Sequence, residues 1–178
     1  MVTIAVVVAV LAAGAIGVAA VASRRPDSFR IERSALIDAP AERIFPLIVD
    51  LETMNSWNPF NRREAGSSAE YIGPKSGVGA KFAFNGPKSG TGTIEITDAR
   101  VPSLVAMRLL MSKPMAADNH IEFRLVPDGK GTRVAWSMDG ACTRLLPKLV
   151  GLVMNMDSMV GREFDTGLAR LKSIAEAR

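Results

Sequence analysis

Residues 120–138 read His-Ile-Glu-Phe-Arg-Leu-Val-Pro-Asp-Gly-Lys-Gly-Thr-Arg-Val-Ala-Trp-Ser-Met. Ile121, Phe123 and Leu125 alternate with His120, Glu122 and Arg124; Val134, Trp136 and Met138 alternate with Arg133, Ala135 and Ser137. A period of two sends the members of each set to opposite sides of a strand. Between the two runs, Asp128-Gly-Lys-Gly131 is turn chemistry, so the stretch folds back as a hairpin with one apolar face. That face has to be covered.

Upstream, the same alternation recurs. Ala80, Phe82 and Phe84 oppose Lys81 and Asn85; Ile94 and Ile96 alternate with Thr93, Glu95 and Thr97; Val105, Met107, Leu109 and Met111 alternate with Ala106, Arg108 and Leu110. Residues 29–37 alternate less regularly and read as a first strand. Asp38-Ala-Pro40 then opens a helix, with Asp38 as cap, Pro40 in the first turn and Glu42 favouring the dipole. Ile44, Phe45, Leu47, Ile48 and Leu51 form its apolar face, and Pro46 forces a bend. Residues 55–60, Asn-Ser-Trp-Asn-Pro-Phe, read as a turn.

Downstream lies the cover. From 145 to 174, Leu145, Leu149, Leu152, Val153, Met156, Val160, Phe164, Leu171 and Ile174 fall on one stripe at helical period, while Asn155, Ser158, Arg162, Asp165, Lys172 and Ser173 fall elsewhere. The spacing predicts an amphipathic helix of about seven to eight turns. Strand, helices, meander and long helix make an α+β domain in which a curved antiparallel sheet grips one helix.

The 178 residues are 48% hydrophobic and 22% charged, proportions that exclude disorder. One cysteine, Cys142, permits no internal disulfide and no Cys-based zinc site, and one histidine, His120, permits no poly-His cluster. The net charge of +4 is modest and scattered, with two Trp and one Tyr, so nucleic-acid binding has little support. Nothing implies a cofactor.

Residues 2–22 carry no charge. As a helix they reach roughly 31 Å, close to the hydrocarbon thickness of a bilayer. A cleaved signal peptide is the competing reading, with Ala20-Val-Ala22 as its A-x-A site. However, no Lys or Arg precedes the run, and it exceeds the usual apolar length of such peptides. Residues 1–25 are therefore expected to be a single transmembrane anchor with a basic flank, followed by a domain at 26–178. Arg24, Arg25, Arg30 and Arg33 place that domain on the cytoplasmic side.

The order of elements resembles the helix-grip fold of the START-like, polyketide cyclase and lipid-transfer superfamily. The resemblance is carried by Ile37-Asp-Ala-Pro-Ala-Glu-Arg-Ile-Phe45, Trp57-Asn-Pro-Phe60, Gly77-Val-Gly-Ala80, Gly131-Thr-Arg-Val-Ala-Trp136 and Phe164-Asp-Thr-Gly-Leu-Ala-Arg-Leu-Lys172. It covers residues 29–178 and implies a cavity between sheet and helix for a lipid, quinone or polyketide-like molecule. Some members of this superfamily are enzymes.

On that resemblance the candidate ligand-binding residues are Trp57, Phe82, Phe84, Met107, Met111, Phe123, Trp136, Met138, Met156, Val160 and Glu163. Methionine is abundant, nine in all, and its flexible thioether adapts to irregular apolar ligands. The same residues also describe an ordinary core. Glu163 lies near Met156, Met159 and Val160 on the helical wheel: either it faces a ligand's polar end, or it sits at the stripe's edge and reaches water. Trp57, Asn58 and Phe60 either plug the core or gate ligand entry.

No catalytic group is identified. His120 is the sole histidine and shares its strand face with Glu122 and Arg124, away from the core; Cys142 lacks a recognisable activating neighbour. The pentapeptide Gly-Pro-Lys-Ser-Gly occurs at 73–77 and 86–90. Each copy leads into a strand rather than a helix, so both are turns and not phosphate loops. Three functions follow: a membrane-tethered carrier or sensor of a hydrophobic small molecule, a cyclase- or aromatase-type enzyme, or a module that binds a partner peptide. The oligomeric state is left open.

Overall fold

The computed structural model describes residues 17, 23–24, 26–61, 64–141 and 156–177. Its centre is a seven-stranded antiparallel sheet in the order β1-β7-β6-β5-β4-β3-β2. The strands are β1 (Ser28–Ile37), β2 (Ser68–Ile72), β3 (Lys81–Gly86), β4 (Gly90–Arg100), β5 (Leu104–Lys113), β6 (Ala117–Asp128) and β7 (Gly131–Ala141). Three short helices follow β1: α1 (Ala41–Ile44), α2 (Pro46–Val49) and α3 (Leu51–Trp57). The chain ends in α4 (Met156–Glu176).

The hairpin forms as its residues dictate: Asp128 pairs with Gly131, and Gly129 takes φ +63°, which glycine adopts without steric cost. Phe123 faces Trp136 and Leu125 faces Val134 across it. All four are buried, so the alternation identifies the inner face correctly. Register carries that face across the sheet. One inner row runs Tyr71, Phe82, Ile94, Leu109, Asn119, Gly140, Phe29; the next outer positions hold ion pairs such as Arg108–Asp118 at 2.6 Å. His120 stands on the outer face and is exposed, as expected.

α4 runs along β1, on the inner side. Near its start the Arg33 guanidinium bonds both carboxylate oxygens of Asp157, at 3.1 and 3.0 Å, and lies 3.6 Å from Asp165. Gly161 leaves the space this guanidinium needs, since a Cβ there would stand 2.0 Å from it. Towards the other end Lys172 donates to the Leu36 carbonyl, and the Asp38 amide donates to Glu176. The buried stripe is Gly161, Phe164, Gly167, Leu168, Leu171 and Ala175.

Four expectations are corrected. Residues 55–57 continue α3 instead of turning, because Asp50 caps that helix by accepting from the Thr53 amide, and Asn58 N–H still bonds Met54. Asp38 caps nothing; the N-cap of α1 is Pro40, with no side-chain bond. Strand β2 was not anticipated, and all five of its residues are exposed, so it lacks the apolar alternation that marked the others. On α4, Ile174 and Met159 are exposed and Leu168 is buried, which rotates the stripe from its expected centre.

The expected N-terminal span and the first part of the expected long helix, 145–155, lie outside the described residues. Among those described, no helix is long and apolar enough to cross a membrane.

Candidate functional site

The inner face divides into two parts. Beneath α4 the aromatic residues stack on one another. Trp136 lies parallel to Phe164 with ring centres 4.1 Å apart, stacks on Phe123 at 4.9 Å, and meets Trp57 edge-on at 5.9 Å. Trp57 also meets Phe123 edge-on, and its indole N–H donates to the Leu47 carbonyl at 2.9 Å. Gly167 lets the helix approach this cluster, because a Cβ would come within 2.6 Å of the Trp136 ring. Phe60, 44% exposed, closes the outer edge against Trp136 and Phe164. Here Trp57 and Phe60 act as a plug.

Of the residues expected to line a ligand, Trp57, Phe82, Met107, Phe123, Trp136 and Met138 are buried in this continuous core. Phe84 and Val160 are partly buried against it, and Met111 is partly buried at the far end of β5. Glu163 is partly buried beside the stripe of α4, at its edge. The side chain of Met156 is outside the described set.

The second part is the inner face at the β2–β5 end of the sheet. Phe84, Ile94, Leu109 and Met111 are each partly buried there, and Tyr71 is 48% exposed. Tyr71 packs on Phe82 with ring centres 4.9 Å apart, and Phe82 lies 6.0 Å from Phe84, making an aromatic track across β2 and β3. Gly92, between Phe84 and Met111 in register, keeps the floor low: a Cβ would stand 2.9 Å from both neighbours.

At the head of this track the Asn55 amide nitrogen donates to the Tyr71 hydroxyl at 3.1 Å. Asn55 is only 7% exposed, and its carbonyl oxygen Oδ1 has no hydrogen-bond partner. The indole nitrogen of Trp136 is likewise buried without a partner. Neither Asn55 nor Tyr71 was singled out in the sequence. Asn55 hid in a supposed turn; once α3 is extended, its i+4 spacing from Leu51 puts it on the buried side. Tyr71 sits on the unanticipated strand.

A depression of about 670 Å³ also lies over β2–β5, and its wall takes residues from both faces: Ala69, Phe84, Gly92 and Met111 are inner by register. By register Ser68, Glu70, Ala83, Asn85, Thr91, Thr93, Leu110 and Ser112 of its wall point away from α4. It is open, more apolar than polar, and shares Phe84 and Met111 with the inner face.

Electrostatics around both regions is internally compensated. The second Gly-Pro-Lys-Ser-Gly turn aims the amides of Lys88 and Ser89 at the Glu64 carboxylate, at 2.9–3.1 Å. The Ser89 amide above all, then its hydroxyl and the Lys88 amide, hold Glu64 below the usual carboxylate range. This turn binds an anion, but the anion is the chain's own. The hydrogen bond from Arg33 similarly holds Asp157 low. Among the described residues no cluster of three metal-ligating side chains occurs.

A helix gripped by a curved antiparallel sheet, with an aromatic centre and an apolar inner face, defines a helix-grip fold. The family model for "polyketide cyclase / dehydrase and lipid transport" matches residues 28–176, and the chain belongs to that family. Solved structures share the fold at low identity. Truncated norcoclaurine synthase from Thalictrum flavum is 13% identical at TM-score 0.62, covering 85% of this chain and 95% of its own. A protein of Chromobacterium violaceum is 14% identical at TM-score 0.59, covering 86% and 100% respectively. One of Rhodobacter sphaeroides is 17% identical at 0.57, covering 82% and 90%. No curated protein matches the sequence.

Proposed function

We propose that this chain binds a hydrophobic small molecule on the inner face at the β2–β5 end of the sheet, and that residues 2–22 tether the domain at 26–178 to a membrane. The observation that carries the binding reading is the row Phe84, Ile94, Leu109 and Met111, all inner-facing yet only partly buried, beside an aromatic centre that is closed. Apolar surface left part-open next to a packed core is where a greasy ligand gains most from burial. The family's lipid-transport description agrees with a carrier or sensor.

The tether rests on the uncharged run at 2–22, with Arg24 and Arg25 after it favouring a cytoplasmic domain. Phe84 and Met111 touch the ligand, and Trp57, Phe82, Met107, Phe123, Trp136 and Met138 belong to the packed core beside it; Val160, Glu163 and Met156 lie on α4, which runs along β1 at the other edge of the sheet. A cyclase-type enzyme is the second reading, favoured by the family's name and by the fold shared with norcoclaurine synthase.

Native mass spectrometry of the detergent-extracted chain tests the first reading: a co-purified apolar molecule is expected, and a ligand-free protein that also fails to bind naphthalene would contradict it. Deleting residues 1–23 is expected to move the folded domain to the soluble fraction. A truncated chain that remains in the membrane would refute the tether.

A further inference from the structure

Resting on that reading of the inner face, we infer that the Tyr71 hydroxyl is the polar recognition point of the site, positioned by Asn55, and that the ligand carries a neutral oxygen, a hydroxyl or a carbonyl, at one end of its apolar body. Three observations lead there. Tyr71 is the one tyrosine in the chain, its ring extends the Phe82–Phe84 track, and it is 48% exposed. Its hydroxyl accepts from the Asn55 amide nitrogen at 3.1 Å, which leaves the phenolic proton available to an acceptor on the ligand. And Asn55, 7% exposed, keeps an unpartnered Oδ1.

That last point separates a site from ordinary packing. A buried amide satisfied at one end destabilises a fold, and a leucine of similar size at position 55 would remove the deficit. Turning the amide over does not remove it: Tyr71 would then donate to Oδ1 and leave Nδ2 orphaned. In that orientation the phenol oxygen still accepts from a ligand hydroxyl. The Asn55 side chain makes one hydrogen bond, and that bond fixes the Tyr71 hydroxyl at the head of the apolar track. A positioned polar group supported by a buried second residue is how binding sites obtain orientation.

The oxygen is neutral because the described cations of the inner face and of the strands and loop around Tyr71 have carboxylate partners, Lys75 being paired with Asp50. Arg33, on the inner face, is held by Asp157 and Asp165; Lys81 pairs with Glu95 on the outer side.

The test is isothermal titration of the full-length chain in lipid nanodiscs, with empty nanodiscs as the blank, against naphthalene, 2-naphthol and 2-naphthoate at neutral pH. The wild type is expected to bind 2-naphthol about tenfold more tightly than naphthalene, the worth of one well-placed hydrogen bond, and more tightly than 2-naphthoate. Tyr71→Phe is expected to bring the naphthol-to-naphthalene ratio to about one, because only naphthol used the lost hydroxyl. Asn55→Leu is expected to lower the ratio while raising the melting temperature, a combination that loss of structure alone does not produce. A ratio that survives in Tyr71→Phe, or a preference for 2-naphthoate, overturns the inference. Equal binding of naphthalene and 2-naphthol by the wild type also overturns it and leaves the apolar site standing; no binding of any probe removes the site itself. If Asn55→Leu fails to fold, the surface-accessible Tyr71→Phe decides alone.

Discussion

The two parts of the inner face are written in the same residues and end differently. In the closed core, Phe123, Trp136 and Met107 are each at most 3% exposed, with Phe123 and Trp136 locked by Trp57 and Trp136 stacked on Phe164 of α4. At the β2–β5 end, Phe84, Ile94, Leu109 and Met111 point the same way from the same sheet and stay part-open. Alternation along a strand states which side is inward. What lies over that side depends on a segment distant in sequence, here α4, whose described turns run along β1. The closed part stabilises the fold; the part-open one is where binding is proposed.

The contrast breaks first at Trp136. Truncating a fully packed indole leaves a large cavity, so Trp136→Ala is expected to cost about 3–5 kcal/mol in denaturant melts. A cost near that of a surface change would mean that this half of the face is not a sealed core. Met111→Ala should cost only about 1 kcal/mol, because the site is part-open, yet should weaken naphthalene binding markedly. Equal losses of stability at positions 111 and 136 would erase the distinction between the halves.

Arg33 sharpens it through pH. Its hydrogen bond lowers the folded-state pKa of Asp157 relative to the unfolded chain, so the stabilisation is complete above the unfolded value and is lost as pH falls through the folded one. Arg33→Met should therefore flatten the acid limb of the stability profile: the loss, small for an exposed ion pair, is present at neutral pH and disappears as pH falls through the folded-state pKa of Asp157. An unchanged acid limb would show that the clamp between β1 and α4 contributes nothing. Smallest of all, His120→Ala on the outer face should stay within about 0.5 kcal/mol of wild type.

Most of the architecture was legible in the sequence, because six strands and the terminal helix each carry their own period. The hairpin at 128–131 and the inward set from Ile94 to Met138 followed from alternation and turn chemistry alone. Strand β2 was not legible: Ser68–Ile72 is an exposed edge with nothing to alternate. The turn assigned to residues 55–60 begins only after Trp57, where Asn58 and Pro59 end the helix, so residues 55–57 were misplaced. Those two misses concealed Tyr71 and Asn55, the polar head of the candidate site. Val160 and Glu163 were placed on the right helix, but the stripe turned out to be centred on Phe164, Leu168 and Leu171, because β1 and not the sheet's middle is what α4 packs against most.

The central claim is that a ligand sits at the part-open end and leaves the aromatic centre undisturbed. Methionine methyl resonances report this directly, since Met111 lies in the first region and Met107 and Met54 are buried in the second. Titrating naphthalene into methyl-labelled protein should shift the Met111 signal progressively while Met107 and Met54 hold still. Shifts at Met107 and Met54 with Met111 unmoved would place the ligand beneath α4 and contradict the account.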